Sequence, residues 1–324
     1  MLISETRFSQ PPRDLRYLSS HLSVLDLAPP AGLTFCGEPI PLDKPHVRKK
    51  LEKELNLLLR YPEGTRLTLK RAHRYRETFT QIMAREEIPQ DMFYLAVAES
   101  NLANRTSHAG AQGFWQFMAP AARRYGLEVS ETVDERFHPE KATRAACHYL
   151  RDAYEVFGDW TMAAASYNMG TTGLSRSAER QQADSYFEME DLNAETSRYL
   201  YRILAYKILC EQPDRYGITL QQANLYEPIP YVSRPVRDDV ADLEALAAAQ
   251  GVSLASLRML NPWLTSNRLD AAEGKTYEIR FPLSKELFAH ELLVEVPTDT
   301  LPVSKASLEL LPTEEAETIP STDA

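Results

Sequence analysis

The residue whose type and position best suit acid–base chemistry is Glu99, at the end of the segment DMFYLAVAES. Residues 92–98 have little polarity, which predicts a helix buried on most sides with Glu99 near its C-terminal end. Burial and the negative pole of the helix dipole both disfavour an ionised carboxylate there. A glutamic acid kept protonated near neutral pH can act as a general acid. The alternative is a solvated surface charge, which is what a lone glutamate near a helix end usually is.

The residues that follow Glu99 lack a second acid. No Asp or Glu lies between Glu99 and Glu128, whereas Arg105, Arg123 and Arg124 do. Glycosidases that use two carboxylates need the second one to face the first across the scissile bond. The local sequence therefore offers one candidate acid, and a second could come only from a distant segment.

Three ordered blocks of this sequence resemble the soluble lytic transglycosylase family. The family pattern is an ES pair followed by a GLMQ-type or GIWQ-type loop, then an AYNAG segment, then an ET-x-x-YV signature. The matching residues are Glu99–Ser100 with Ser107, Gly110–Ala111, Gly113–Met118 and Pro120, then Ala165–Gly170, then Glu195–Thr196 with Tyr199–Leu200. Two departures are visible, because Ser107 lies one residue closer to Glu99 than usual and Met169 replaces the customary alanine.

The resemblance implies a lysozyme-like helical fold in which Glu99 serves twice, with no cofactor and no metal. As an acid, Glu99 would protonate the oxygen between N-acetylmuramic acid and N-acetylglucosamine. As a carboxylate, it would take the proton from the muramyl 6-hydroxyl, which attacks its own anomeric carbon and leaves a 1,6-anhydromuramyl end. The substrate's acetamido group, oriented by Ser107, would stabilise the intermediate in place of a second carboxylate. Tyr199, in the third block, would belong to the same substrate-binding site.

The other candidate site residues would bind sugar. Gln116, Tyr167 and Asn168 could hydrogen-bond the glycan or support Glu99, although such loop and helix-end residues often satisfy local backbone groups instead. Trp115 and Met118 could form the apolar floor of a sugar site, although an aromatic residue beside a buried helix is more often part of the core.

Two other functions are compatible with these residues. A goose-type lysozyme, which is a hydrolase, shares a helical fold and a similar glutamate, and the chemistry of the product ends would distinguish it. A non-catalytic peptidoglycan-binding protein is the other, although the presence of Glu99, Ser107, Gln116 and Tyr167 disfavours it.

The composition of the 324-residue chain is that of an ordinary globular protein, with 44% hydrophobic and 25% charged residues. A net charge of -10 disfavours a nucleic-acid partner, because binding to phosphates needs a concentrated basic face. The three cysteines are too few for a disulfide framework and lack the spacing of a zinc site, so at most one pair could bridge.

The location of the protein is indicated more by the resemblance than by its N-terminus. The opening MLISETRFSQ lacks the basic and apolar regions of a signal peptide, and no apolar run is long enough to span a membrane. The residues alone indicate a cytoplasmic protein or one whose export segment is not part of this sequence. The resemblance implies a periplasmic or cell-envelope location, peptidoglycan glycan strands as the partner, and association with the cell wall or outer membrane.

A set of amphipathic helices is predicted to hold these residues in place. Apolar residues recur at spacings of three and four in RKKLEKELNLLLR, in the segment from Leu69 to Met83, and from Pro139 to Phe157. A short helix capped by Asp159 and a longer one from about Ala194 to Cys210 follow. Between Asn101 and Pro120, small and polar residues predict a loop that closes on a ligand.

Changes in composition divide the chain into five predicted parts. They are an extended arm at 1–47, a lysozyme-like transglycosylase domain at 48–212, a linker at 213–235, a LysM-like module at 236–297 and a disordered acidic tail at 298–324. The predicted fold class is mainly α, with a small α+β module after the helical domain. Residues 33–45 are expected to cover apolar surface of that domain.

The opening FCGEPIPLD and the C-terminal pattern narrow the resemblance to the group of membrane-bound lytic murein transglycosylase D. In that comparison, residues 222–283 take the place of LysM-like carbohydrate-binding modules. Two short helices broken at Gly251 and a strand in TYEIRFPL fit such a module, but its opening strand is not evident, so the repeat is predicted to be degenerate.

Overall fold

The computed structural model describes residues 28–283. The first part of the predicted arm, the last residues of the predicted C-terminal module and the whole predicted acidic tail lie outside the described residues.

The described chain is mainly α, as predicted, and its helical body extends from residue 28 to about residue 220. The α-helices of the body are α1 (Pro45–Leu59), α2 (Pro62–Arg85), α3 (Phe93–Ser100), α4 (Ala119–Arg124), α5 (Pro139–Phe157), α6 (Trp160–Met169), α7 (Thr171–Gln181) and α8 (Thr196–Glu211). Two short antiparallel hairpins accompany them, β1 (Thr34–Phe35) with β2 (Glu38–Pro39) and β3 (Arg105–Thr106) with β4 (Gln112–Gly113).

The helix boundaries follow from local sequence signals. Proline occupies the first turn of α1, α2 and α5, where its missing N–H costs no hydrogen bond. Helix α5 ends at Gly158, whose φ of 63° is left-handed, and the Asp159 side chain accepts the hydrogen bond of Met162 N–H to cap α6. The predicted limits of α5 and the predicted Asp159 cap are confirmed, α1 and α2 begin earlier than their apolar periodicity indicates, and the last predicted helix is shifted by only a residue or two.

The core of the body is built around α3 and α8. All eight residues of α3 are buried, and α8 is buried along nearly its whole length because it packs against α1, α3 and α6. The apolar stripe of α2, from Leu69 to Met83, packs against α3 and α5 as its spacing predicts. An eight-residue helix with no exposed face can hold a polar side chain only at a considerable cost in desolvation, which makes Glu99 on α3 exceptional.

The segment before α1 covers the helical body. Phe35, Ile40 and Leu42 are buried in the main core, which confirms that this segment shields apolar surface. The segment is not simply extended, because β1 and β2 form a hairpin at 34–39 and α1 begins at Pro45, inside the predicted arm.

The C-terminal module has a β-α-α-β order, with β5 (Tyr231–Val236), α9 (Leu243–Ala249), α10 (Leu254–Leu260) and β6 (Tyr277–Pro282). Strands β5 and β6 pair antiparallel, with Tyr231 opposite Pro282 and Val236 opposite Tyr277. The helix pair is broken at Gly251, which has a φ of 69°, and β6 alternates buried and half-exposed or exposed residues as TYEIRFPL predicts.

The predicted linker at 213–235 is more structured than its composition indicates. Its first residues pack on the helical body through Tyr216 and Ile218, and its last residues form β5, the opening strand that the sequence did not reveal. That strand was missed because its first five residues are exposed and Pro235 lies within it, so it has no alternating pattern.

The module is docked on the body through a segment that we call the docking segment, residues 128–140. Val133 of this segment is fully buried in the core of the module and forms a β-bridge with Leu264. Trp263 stacks on His138 with ring centroids 5.8 Å apart, and the Asp134 N–H donates to the Trp263 carbonyl at 2.8 Å. Val133 of the docking segment therefore completes the hydrophobic core of the module, which is separate from the core of the body.

Two further features concern the whole described region. Helices in residues 28–283 are all too short or too polar to cross a bilayer. Cys36, Cys147 and Cys210 carry free thiols, so none of them forms the disulfide that the sequence left open.

Candidate active site

Glu99 lies in the last turn of α3, and its side chain is 0% exposed. The helix ends directly after Ser100, because Asn101 takes a left-handed φ of 53°. Glu99 therefore lies at the negative end of the helix dipole, and its carboxyl is fully buried. Both surroundings disfavour a negative charge.

The Glu99 carboxyl has one hydrogen-bonding neighbour from a distant helix. The hydroxyl of Tyr199, on α8, donates to Glu99 Oε1. Glu99 Oε2 is buried and has no hydrogen-bond partner within the described part of the chain. A buried polar atom without a partner is costly, and at a candidate site it marks where a substrate group can bind.

Burial raises the pKa of Glu99 to about 8. The hydrogen bond from Tyr199 and the positive charge of Arg202 oppose this rise, because both favour the ionised form, while the charge of Glu195 adds to it. Burial together with the nearby Glu99 raises the pKa of Tyr199 well above its ordinary value, so its hydroxyl stays protonated as a donor.

Arg202 was not predicted as a site residue from the sequence, although its positive charge lowers the pKa of Glu99. It follows Tyr199 by one helical turn, it is buried, and its Nη1 donates to Glu195 Oε1 at 3.0 Å. Its Nε–H is buried and has no hydrogen-bond partner among the described residues. The signal that could have revealed it is the spacing of three residues after Tyr199, which places both side chains on one face of α8.

The loop that follows Glu99, residues 101–118, is fixed to α3 and α6. The Ser100 hydroxyl donates to the Phe114 carbonyl at 2.8 Å, and the Tyr167 hydroxyl donates to the Trp115 carbonyl at 2.8 Å. Burial and, to a smaller extent, the charge of Glu99 raise the pKa of Tyr167 well above its ordinary value. Tyr167 itself is fully buried and positions the loop backbone.

Gln116 is buried and bonded within the same loop. Its side-chain nitrogen donates to the carbonyls of Arg105 and Gly113, at 2.9 Å and 2.7 Å. Its backbone has a φ of 49°, a left-handed conformation that costs a non-glycine residue about 1–2 kcal/mol. Its Oε1 is buried without a hydrogen-bond partner among the described residues, so one acceptor remains for a ligand.

The position of Trp115 favours a role in the core over a role as the floor of a sugar site. It is fully buried, it stacks on Phe79 with ring centroids 6.0 Å apart, and its indole N–H donates to the Thr143 hydroxyl at 2.9 Å. Met118 differs, because it is half-buried at the start of α4 and keeps surface that a ligand can contact.

Ser107 lies within the 101–118 loop and Asn168 lies in the last turn of α6, and each side chain has a hydrogen-bond partner. The Ser107 hydroxyl accepts the Ala111 N–H at 3.0 Å and retains its own hydrogen for donation. The Asn168 side-chain oxygen accepts from the Thr196 hydroxyl at 2.7 Å, which joins the end of α6 to the start of α8. The three sequence blocks therefore meet around Glu99 through α3, α6 and α8.

The comparison with protein families finds two matches in this chain. Residues 77–189 match the family described as the transglycosylase SLT domain, and residues 233–285 match the soluble lytic transglycosylase C-terminal LysM-like domain. The first range contains Glu99, the 101–118 loop and α6 with Tyr167. The second range contains most of β5 together with α9, α10 and β6.

Among curated proteins, the chain is similar to membrane-bound lytic murein transglycosylase D of Escherichia coli strain K12. The two are 25% identical over 254 residues, which cover 76% of this chain and 55% of the relative. The protein of the same name from Escherichia coli O6:H1 matches with the same values. The chain thus spans about half the length of the curated relatives it matches.

Proposed function

We propose that this chain is a lytic transglycosylase that cleaves the glycan strands of peptidoglycan. It is built from a transglycosylase SLT domain and a LysM-like domain and is homologous to membrane-bound lytic murein transglycosylase D. The carrying observation is Glu99, a fully buried carboxyl with a pKa raised to about 8. A carboxyl in that condition holds its proton at neutral pH and can donate it to a leaving oxygen.

The first step uses Glu99 as an acid. Its proton passes to the glycosidic oxygen between N-acetylmuramic acid and N-acetylglucosamine, and the bond from the anomeric carbon to that oxygen breaks. The electron pair stays with the departing oxygen, which becomes a hydroxyl. Oε2 suits the proton transfer because Oε1 is already engaged by Tyr199.

The second step uses the same group as a base. The Glu99 carboxylate accepts the proton of the muramyl 6-hydroxyl, whose oxygen bonds to the anomeric carbon and closes a 1,6-anhydro ring. The carboxyl is thereby restored, and no water is consumed. The Tyr199 hydrogen bond and the charge of Arg202 favour the carboxylate during this interval, so the group can hold either state.

The candidate site residues fall into two groups, buried side chains and half-buried ones that a glycan can contact directly. Glu99 has no exposed surface, so a glycan reaches Oε2 only when side chains that cover it move apart. Ser107 and Met118 are half-buried and can contact sugar directly, and Ser107 can donate to the acetamido carbonyl. We propose that Gln116 and Asn168 hydrogen-bond the glycan once the site opens, while Trp115 and Tyr167 hold the 101–118 loop in place.

A hydrolytic mechanism with two carboxylates has less support. Glu195 is the carboxylate whose charge raises the pKa of Glu99, and its Oε1 accepts the hydrogen bond of Arg202. A carboxylate whose oxygen already accepts from a buried guanidinium is poorly placed to activate water, because that oxygen is engaged. We therefore propose one catalytic glutamate and an anhydromuramyl product.

The test is mass spectrometry of the products that the full chain releases from purified peptidoglycan. We expect ends that lack one water relative to hydrolysed muramic acid and that resist borohydride reduction. Glu99→Gln should reduce turnover by at least about 10²-fold while the protein stays folded. Reducing muramic acid ends would refute the transglycosylase mechanism, and near-normal activity of Glu99→Gln would refute the role of Glu99.

The proposed substrate implies an envelope location. Peptidoglycan lies outside the cytoplasmic membrane, so we propose that the protein acts in the periplasm or at the cell envelope, with glycan strands as its partner. Fractionation of cells followed by detection of the full chain tests this location.

A further inference from the structure

We propose that Arg136 is a positioning residue for the 101–118 loop, and that the docked LysM-like domain holds Arg136 in place. The inference deepens the proposed function, since it concerns the loop beside Glu99. It starts from the central part of the docking segment, Asp134, Glu135 and Arg136, three consecutive charged residues that are all buried. Such residues are rarely buried unless every charge is paired.

The guanidinium of Arg136 uses every donor it has. Nε and Nη2 donate to the Asp134 carboxylate in a two-pronged pair, with Nη2 to Oδ2 at 2.6 Å. The remaining donors all reach the 101–118 loop, at Gln112 Oε1 (2.5 Å), the Phe117 carbonyl (3.2 Å) and the Gly110 carbonyl (3.4 Å). Asp134 therefore orients the guanidinium, and the guanidinium joins residues before, within and after β4.

The backbone of the docking segment adds two further contacts to this loop. The Phe137 carbonyl accepts a hydrogen bond from the Asn104 side chain at 3.1 Å. At Gly113, a Cβ atom would lie 1.8 Å from the Arg136 carbonyl oxygen, so only glycine allows the loop to approach this closely. The loop is thus held against residues 134–137 along most of its length.

The same segment is fixed from its other side by the LysM-like domain. Lys275 pairs with both Glu128 and Glu135, the second at 2.9 Å, and Thr265 N–H donates to the Thr132 carbonyl at 3.1 Å. Together with the hydrogen bond from the Asp134 N–H to the Trp263 carbonyl, these contacts fix the position of Asp134. The contacts form a continuous path from Lys275 and Trp263 through Asp134 and Arg136 to the loop.

The loop matters for the proposed reaction because its far end touches the catalytic helix. The Phe114 carbonyl accepts a hydrogen bond from Ser100, the residue after Glu99. The Trp115 carbonyl accepts one from Tyr167 on α6. Displacing a substrate-binding loop by about 1 Å can lower turnover by about 10²-fold. Arg136 does not contact Glu99, whose pKa is determined by burial and by groups on α8, so loss of Arg136 should change the rate without moving the pH profile.

The test measures kinetics and hydrogen exchange on the full chain. For Arg136→Met we expect kcat/KM on soluble uncrosslinked peptidoglycan strands to fall about 10-fold to 100-fold, with the alkaline limb of the pH profile unmoved. Amides of residues 105–117 should exchange at least about 10-fold faster, while α3 and α8 stay protected. Arg136→Lys keeps the positive charge but loses the paired guanidinium donors, so its kcat/KM should lie between that of Arg136→Met and that of the unmutated protein.

Two further variants keep the outcome decisive. Gln112→Ala removes one recipient of Arg136 without leaving a charge unpaired, so it tests the path even if Arg136→Met does not fold. Gln112→Glu keeps an acceptor and should restore the rate and the exchange protection that Gln112→Ala loses. Arg268→Gln is the matched control, because Arg268 pairs with Glu131 at an exposed edge of the docking segment and should leave both readouts within twofold of the parent protein.

The inference is overturned if Arg136→Lys and Gln112→Ala leave both loop exchange and kcat/KM within twofold, or if the alkaline limb moves together with the rate. It is also overturned if α3 loses protection as much as the loop does, since that would indicate general unfolding. If the unmutated protein forms no anhydromuramyl ends, the proposed function fails, and the exchange measurements still decide whether Arg136 positions the loop.

Discussion

The buried carboxyl of Glu99 should make the stability of the protein depend on pH in a way that Glu99→Gln removes. The folded state holds this proton with a pKa of about 8, whereas an unfolded glutamate releases it near 4.5. The folded state therefore binds the proton more tightly. The contribution of Glu99 to the free energy of unfolding is fully present below pH 4.5 and is lost as the pH rises to 8.

The size of the effect follows from that difference in pKa. A rise from 4.5 to about 8 corresponds to about 5 kcal/mol over the whole range. Between pH 5 and pH 8, Glu99 should cost the unmutated protein about 3 kcal/mol relative to the glutamine variant. Glutamine has nearly the same shape and an oxygen that can accept from Tyr199, so it removes the titration with little change in packing.

The assay is urea unfolding of both proteins at several pH values from 5 to 8. Glu155→Gln is a suitable control, because Glu155 is exposed on α5 and the variant makes the same chemical change on the surface. The difference in stability between the unmutated protein and Glu99→Gln should shift steadily in favour of glutamine as the pH rises. A difference that stays constant within about 1 kcal/mol would refute the conclusion that burial keeps Glu99 protonated.

The remaining predictions concern the groups that hold the site together. Tyr199→Phe removes a hydrogen bond that lowers the pKa of Glu99, so turnover should fall and the alkaline limb of the pH–rate profile should move up by about one pH unit. Gly113→Ala should destabilise the fold by about 2–4 kcal/mol, because its Cβ would meet the Arg136 carbonyl at 1.8 Å, whereas Gly110→Ala, with nothing within 4 Å, should cost about 1 kcal/mol in a thermal melt. A chain ending after Leu220 should lose several °C in Tm, because Val133 loses its apolar cover.

Several helix positions and the burial of Glu99 could be predicted from sequence because both depend on local patterns. The apolar run before Glu99 indicated a buried helix, and prolines, Gly158 and Asp159 marked the helix ends. Local rules act within a turn or two of chain, so the observed limits of α5 and the start of α6 agree with the predicted ones, whereas α1 and α2 begin earlier than predicted.

Contacts between distant residues could not be predicted in the same way. Tyr199 lies 100 residues beyond Glu99, and its assignment to the site came from the resemblance, without knowledge of the hydrogen bond between them. Arg136 carries no local pattern that separates a buried cation from a solvated one, and the spacing of Arg202 from Tyr199 indicates a shared helix face without indicating burial. Their burial is visible only when the partners Glu195 and Asp134 are placed in space.

Trp115 illustrates a choice that sequence alone leaves open. A tryptophan in the middle of a candidate substrate-binding motif can contact a ligand or anchor the loop, and both roles use an apolar ring. In the structure this ring stacks on Phe79, and its N–H donates a hydrogen bond to the Thr143 hydroxyl. Both contacts anchor the loop to the core. The motif therefore includes residues that build the site as well as residues that can touch a ligand.

The interface between the body and the LysM-like domain decides how a truncation should be interpreted. Removing the domain leaves Glu135 without Lys275 and His138 without its stacking partner Trp263, and the docking segment also holds the loop beside Glu99. A truncated chain could lose activity for that reason alone, even if the domain bound no glycan. Substitutions of exposed residues on its two-stranded sheet, at Arg234 or Glu278, leave the interface intact. If they weaken sedimentation with peptidoglycan sacculi and preserve turnover on soluble strands, the domain contributes affinity independently of its structural role.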